Sequence, residues 1–234
     1  MAPKKKKKRK AALPPLPRGA RQRALLTVER LRDAYPAVTE LVHQNPFQLL
    51  IATMLSAQTT DKIVNTITPI LFARYPTAID LAAANPAELE KLLKPTGFFR
   101  AKTKRIMAAS RKLVEEFSGE VPPSMDDLVT LPGIGRKTAN VILGAGFGIP
   151  GFAVDTHNIR LTNRLKLAST RDPVKIEAQI CRIVPREEWT ALSLRLILHG
   201  RRVCIARRPR CEECILNDFC PSSTVRPGKR TSVL

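Results

Sequence analysis

No run of about 20 apolar residues occurs in this chain, so no segment is expected to span a membrane. The basic start is not followed by an uninterrupted apolar stretch. Pro14, Pro15, Pro17 and Arg18 break it up, which argues against a secretory signal. Acidic residues are scarce: 20 Asp and Glu face 40 Lys and Arg, a net charge of +20. Removing the seven cations of residues 4–10 from that +20 still leaves +13 on the remainder. A folded part that is basic in its own right points to a polyanion, of which nucleic acid is the commonest. Alternating strand patterns and repeats of fixed period are absent as well.

What is present is helical periodicity. At 234 residues and 44% hydrophobic content the chain can bury a sizeable core without disulfides. Apolar residues recur three and four apart. Leu25, Leu26, Val28 and Leu31 mark a first helix. Phe47, Leu49, Leu50, Ile51, Met54 and Leu55 mark a second, apolar on most sides and therefore central. Ile63, Ile67, Ile70 and Leu71 mark a third. Further helices are predicted at 77–83, 86–93 with Pro86 at its start, and 100–117 ended by Gly119. Ser124 is expected to cap the next, and others follow at 136–146, 155–164, 173–183 and 187–202. The fold class read from this is all-α. Residues 1–20, basic and proline-rich, read as a disordered tail.

Two places carry chemistry. In Leu131-Pro-Gly-Ile-Gly-Arg-Lys, Gly133 and Gly135 allow a sharp turn and close approach of the backbone, while Ile134 anchors the turn in the core. The helix starting near Arg136 turns its free N–H groups toward that hairpin, a site for a DNA phosphate, which makes Gly133, Ile134, Gly135 and Arg136 candidate DNA-binding residues. A tight helix–helix connection would look the same. The second place is the C-terminus, where four of the five cysteines fall within 17 residues as Cys204-x6-Cys211-x2-Cys214-x5-Cys220. Four thiolates hold zinc or an iron–sulfur cluster, and spacing alone does not separate them. Two disulfides are the other arrangement, one that suits oxidising compartments. Cys181, beside Ile180 and Ile183, reads as a core thiol.

The segment LPGIGRKTANVILGAGFGIPGFAVDTHNIR at 131–160 resembles the helix–hairpin–helix DNA glycosylases, and within them the endonuclease III family. LLIATMLSAQTTD at 49–61 and LHGRRVCIARRPRCEEC at 198–214 extend the likeness to about residues 22–220. The resemblance implies two helical lobes with DNA between them. Residues 39–149 would form a helical barrel ending in the hairpin, and 21–38 would return to pack with 150–234. It implies a [4Fe–4S] cluster on Cys204, Cys211, Cys214 and Cys220. It also implies Lys137 as the nucleophile of a lyase step and Asp155 as the carboxylate that stabilises positive charge at the sugar; on its own, Asp155 reads equally as a helix cap. Gln58 would enter the gap left by a flipped base, and Phe98, bulkier than the leucine often seen there, would wedge against the opposite strand. Packing in the core is the plain alternative for Phe98 and Phe99. Asp61 would line the pocket entrance.

The implied activity is removal of oxidised pyrimidines from double-stranded DNA followed by cleavage at the abasic site, by a monomer. An adenine glycosylase of the same fold usually lacks the lysine, and a non-catalytic iron–sulfur DNA binder would lack Lys137 or Asp155. The basic run at 4–10 has the look of a nuclear import signal, but LLIATMLSAQTTD looks bacterial. A DNA-tracking tail on a cytoplasmic, nucleoid-associated enzyme is the preferred expectation.

Overall fold

A computed structural model describes residues 12–225. The basic run at 4–10 lies outside the described residues. Within them the chain is helical and carries no strand. Helices α1 (Ala20–Ala34), α2 (Pro46–Leu55), α3 (Asp61–Arg74), α4 (Ala78–Ala83), α5 (Pro86–Leu93) and α6 (Phe99–Phe117) are followed by the single turn α7 (Met125–Leu128) and by α8 (Arg136–Val141). Then come α9 (Thr156–Arg164), α10 (Pro173–Cys181) and α11 (Trp189–Arg202). None is long and apolar enough to cross a membrane.

Local chemistry explains most of the starts. Asn45, Asn85 and Asp172 each accept hydrogen bonds from the first turn, and each is followed by a proline that needs no partner for its missing N–H. Thr77 and Asp80 form a reciprocal capping box on α4. At the end of α6 the chain enters the left-handed region at Ser118 and Gly119, and the Gly119 N–H closes on Leu113 O at 2.8 Å. Ser124 departs from expectation: it precedes α7 but its side chain makes no cap bond. The helix expected over 136–146 is α-helical only to Val141 and widens into π turns over Ile142–Gly146. Those turns seat Gly144 against Thr190 of α11, where a Cβ would lie 2.5 Å from the threonine side chain.

Two hydrophobic cores form. The first draws on residues from Leu41 to Leu143, with α2 at its centre: Leu49, Leu50, Ile51, Ala52 and Leu55 are all fully buried. The second combines α1, through Ala24, Val28 and Leu31, with residues from Phe152 to Leu216. The N-terminal helix therefore packs into the same core as the C-terminal helices. Truncating the fully buried Leu31 to alanine should cost about 2–5 kcal/mol of stability.

The proline-rich segment also differs from expectation. From Pro14 onward it is anchored: Gln179 Nε2 donates to Pro14 O at 2.8 Å and Ser169 Oγ to Pro15 O at 2.7 Å, while Leu16 packs on the second core. Prolines have no N–H to satisfy, so two donors on α10 and the preceding loop suffice to hold the strap.

Candidate active site and cluster loop

The hairpin divides its labour between its two glycines. Gly133 has φ +85°, a conformation that strains any other residue, and a Cβ there would press on Arg105 and Met54 at 3.3 Å. Gly135 has an ordinary φ of −100°, yet no atom lies within 4 Å of where its Cβ would be. Its bare backbone faces open space at the start of α8. Ile134 is buried in the first core and its N–H donates to Leu131 O at 3.1 Å. It anchors the turn in the core, as expected, and its N–H is already taken.

Arg136 is engaged within the protein. Its guanidinium forms a two-pronged pair with Glu177 of α10, both bonds at 2.7 Å, and this carboxylate holds Arg136 above its ordinary pKa. Lys137, by contrast, is exposed, and no hydrogen bond or ion pair involves its side chain among the described residues. It lines a pocket with Asn140, Val154, Pro173, Val174 and Glu177.

Asp155 caps α9 through one oxygen, Oδ1, which accepts from Asn158 N at 2.8 Å. The backbone leading to it is held at successive residues. Gly151 exchanges two bonds with Thr190 Oγ1, at 3.1 and 3.2 Å. Asn140 Nδ2 donates to Phe152 O at 3.3 Å, and Ala153 O accepts from Ser193 Oγ at 2.8 Å and Asn158 Nδ2 at 2.9 Å. Asn140 matters most, because it stands one turn after Lys137 and grips the chain three residues before Asp155. This bracket joins the two candidate catalytic residues. A Cβ at Gly151 would lie 2.5 Å from Asn140 Oδ1, so the bracket needs glycine there. The roles of Asn140, Thr190 and Ser193 escape sequence reasoning, although Asn140 lies inside the quoted hairpin motif.

The residues expected to probe the helix lie together. Gln58 is exposed after α2 with φ +56°, and Phe98 is 67% exposed before α6 with φ +45°. Phe99, its neighbour, packs on the first core instead. The Thr59 hydroxyl donates to Thr96 O, and Lys102 Nζ donates to both, at 2.6 Å to Thr59 Oγ1 and 2.8 Å to Thr96 O. Burial pushes the Lys102 ammonium below the ordinary lysine range. Asp61 accepts from Arg201 Nη1 of α11 at 3.1 Å, and Arg201 also pairs with Glu40.

Cys204, Cys211, Cys214 and Cys220 are all half-buried, unpaired by disulfides, and line one cavity together with Arg164 and Asn217. Burial, then mutual repulsion, pushes the Cys214 thiol up to about 11, and Cys220 shifts the same way. Such thiols suit a metal-containing group that keeps them deprotonated. Among the described residues no three His, Cys, Asp or Glu side chains converge on a single-ion site. Hydrogen-bond donors surround the sulfurs: Arg164 Nη1 donates to Cys204 Sγ at 3.3 Å, and His199 Nε2 lies 3.4 Å from Cys214 Sγ. Burial lowers His199 to about 4, so its ring is neutral near pH 7 and meets the Tyr35 hydroxyl through Nδ1 at 3.1 Å. Cys181 lies apart, beside the Arg136–Glu177 pair, with burial raising it to about 12.

Helix α9 links this loop to Asp155. Arg160 donates to Cys204 O at 3.1 Å and Gly200 O at 2.9 Å, and its Nη2 lies 3.1 Å from His157 Nδ1. Burial, foremost, lowers the His157 pKa. Arg164 adds bonds to Ile205 O and Ala206 O at 2.9 and 2.7 Å. Arg207, Arg208 and Arg210 remain exposed on the loop.

Comparison with known proteins agrees with this geometry. Residues 51–186 match the model of the HhH-GPD superfamily of base excision DNA repair proteins, and residues 204–220 match that of the iron–sulfur binding domain of endonuclease III. The endonuclease III of Synechocystis is 51% identical over 87% of this chain and 94% of its own length. That of Escherichia coli is 40% identical over 86% and 95%. A solved structure of a trapped endonuclease III–DNA covalent intermediate, an estranged-adenine complex, superposes with a TM-score of 0.81 at 40% identity, covering 87% of this chain and 96% of the other. A thermostable thymine-DNA glycosylase shares the fold, with a TM-score of 0.80 at 20% identity.

Proposed function

The chain belongs to the endonuclease III family, and on that premise we propose that it is a base-excision-repair DNA glycosylase and abasic-site lyase in which Lys137 and Asp155 do the chemistry. Its substrate is duplex DNA bearing oxidised pyrimidines or abasic sites. As the bond from C1′ to the damaged base breaks, positive charge develops on the sugar, and the Asp155 carboxylate stabilises it. Lys137 Nζ, as the neutral amine, bonds to C1′. The sugar ring opens to a protonated imine, which acidifies the C2′ proton. Loss of that proton drives the electron pair toward C3′, and the bond from C3′ to the phosphate oxygen breaks. The observation that carries this reading is the bracket of Asn140 on Phe152 O, which ties the helix of Lys137 to the segment of Asp155.

Gln58 and Phe98 fill the gap and meet the opposite strand, and the bare backbone at Gly133 and Gly135 receives a phosphate. Cys204, Cys211, Cys214 and Cys220 hold a [4Fe–4S] cluster. When bound, the cluster supplies four metal–thiolate bonds that shape the loop, so that Arg207, Arg208 and Arg210 meet the DNA backbone. The two cores are read as two lobes, 39–149 and 21–38 with 150–234. The protein acts as a monomer in a bacterial cytoplasm, at the nucleoid.

Borohydride trapping with duplexes bearing thymine glycol, dihydrouracil or an abasic site tests the assignment. The expected result is a covalent protein–DNA adduct that disappears in Lys137→Gln. An undiminished adduct in that variant would overturn the role of Lys137.

A further inference from the structure

Lys102 has no place in the chemistry above, yet it is the one lysine among the described residues that the fold buries, at 5% exposure. A buried amine is costly unless its protons find acceptors. Among the described residues no carboxylate pairs with it. Its acceptors are Thr59 Oγ1 and Thr96 O, and the Thr59 hydroxyl itself donates to Thr96 O. Thr59 immediately follows Gln58, and Thr96 stands two residues before Phe98. The three groups therefore join the roots of two loops that are 37 residues apart in the chain. An apolar side chain of similar length would fill the same space, so packing alone does not call for an amine.

Both loop tips are also strained. Gln58 and Phe98 are non-glycine residues in the left-handed region, and both are exposed, so burial of their own side chains does not hold them there. Such conformations persist where neighbouring structure over-determines them. The neighbouring structure common to both is the Lys102–Thr59–Thr96 clasp.

We propose that Lys102 is a positioning residue that couples the two helix-probing side chains, so that Gln58 and Phe98 act on the duplex as one rigid pair. The proposal rests on the gap-filling roles given to those two residues above. A fixed separation lets one side chain enter the stack as the other engages the opposite strand, and the ordering of the loops is completed before DNA arrives. Freed of the clasp, each tip would relax toward ordinary backbone angles and the pair would reach the duplex singly.

The experiment uses the full chain with its cluster. Single-turnover excision of thymine glycol from duplex DNA is compared with cleavage of a single-stranded abasic oligonucleotide, which presents no stack to open. Lys102→Met should slow duplex excision about 10- to 100-fold and change single-strand cleavage by no more than about twofold. Thr59→Val, which keeps the shape and removes the hydroxyl, should act in the same direction, and it serves if the methionine variant folds poorly. Lys102→Gln, whose amide still donates, should recover part of the loss. In the parent chain Gln58→Ala and Phe98→Ala should be non-additive, and in the Lys102→Met background additive. Equal losses on both substrates, or none on either, would overturn the clasp. If Gln58→Ala and Phe98→Ala themselves leave duplex excision unchanged, the gap-filling reading fails instead, which is a separate result.

Discussion

The two ends of the Asn140 bracket are built in opposite ways. Lys137 stands exposed at the first turn of α8, and no hydrogen bond or ion pair involves its side chain among the described residues. Asp155 closes a segment in which Gly151, Phe152 and Ala153 are all hydrogen-bonded to side chains, and one of its own oxygens caps α9. The contrast suits the roles proposed for the two residues. A nucleophile must travel to C1′ and change bonding as the reaction proceeds, so a side chain committed elsewhere would hold it back. A carboxylate that stabilises developing charge works best when it is already in place and nothing must reorganise. The structure therefore leaves the amine loose and ties the carboxylate down.

The sharpest way to break this comparison is to substitute each residue with its nearest neutral shape. Lys137→Gln should abolish strand cleavage while leaving thermal stability unchanged and DNA affinity within about threefold, since one exposed cation among many is lost. A marked drop in melting temperature would show that Lys137 has a structural partner after all. Asp155→Asn should slow base release about 100- to 1,000-fold. Asparagine caps helices as well as aspartate does, so the cost in stability should stay within a few tenths of a kcal/mol. Loss of folding in Asp155→Asn would mean that the charge, not the cap, holds α9.

Next in size come the two glycines on either side of the bracket. Gly151→Ala forces a methyl group to 2.5 Å from Asn140 Oδ1, so something must shift. Destabilisation of about 1–3 kcal/mol is expected, with base release from the displaced Asp155 slowed as well. Gly135→Ala meets nothing within 4 Å and has an ordinary φ, so the free protein should be as stable as before. DNA binding should weaken, because a methyl group then stands between the backbone and an incoming phosphate. Chemical denaturation and binding titrations on the two variants should therefore give opposite patterns. Matching patterns would end the distinction between a structural glycine and a contact glycine.

Much of the helical frame is legible in the sequence because its code is local. Asn-Pro at 45–46 and 85–86 and Asp-Pro at 172–173 announce helix starts within a single turn, and the apolar period marks α2 as central. The hairpin and the cysteine spacing are legible for the same reason. What depends on distant partners is not. The widening at Ile142–Gly146 answers to Thr190, more than 40 residues on. Lys102 sits in the cation-rich run Arg100-Ala-Lys-Thr-Lys-Arg, which reads as a solvated face, and only the neighbouring loops make it a buried donor. Ser124 has the residue type of a cap, but α7 is a single turn and its side chain is not used. Pro14 and Pro15 have the composition of a loose tail, and the donors that hold them come from Ser169 and Gln179.

Arg136 carries the smallest predicted effect. Its place beside Lys137 at the start of α8 suggests a phosphate contact. The structure commits it to Glu177, a carboxylate whose side chain is only 13% exposed, through two bonds of 2.7 Å. Breaking that pair to reach a phosphate would leave the half-buried Glu177 uncompensated, so exchange gains little. The pair should instead stay closed on DNA, joining α8 to α10. A cation that contacts a phosphate contributes about one unit to the slope of log affinity against log salt. Arg136→Ala should therefore leave that slope unchanged and shift affinity by no more than about threefold at any one salt concentration. Measured over a range of salt, the slope separates the two possibilities more cleanly than affinity does. A slope reduced by about one unit would show that Arg136 leaves Glu177 when DNA binds. Glu177→Gln provides the converse: if the pair stays closed, releasing Arg136 should steepen the slope, since a new cation becomes available to the backbone.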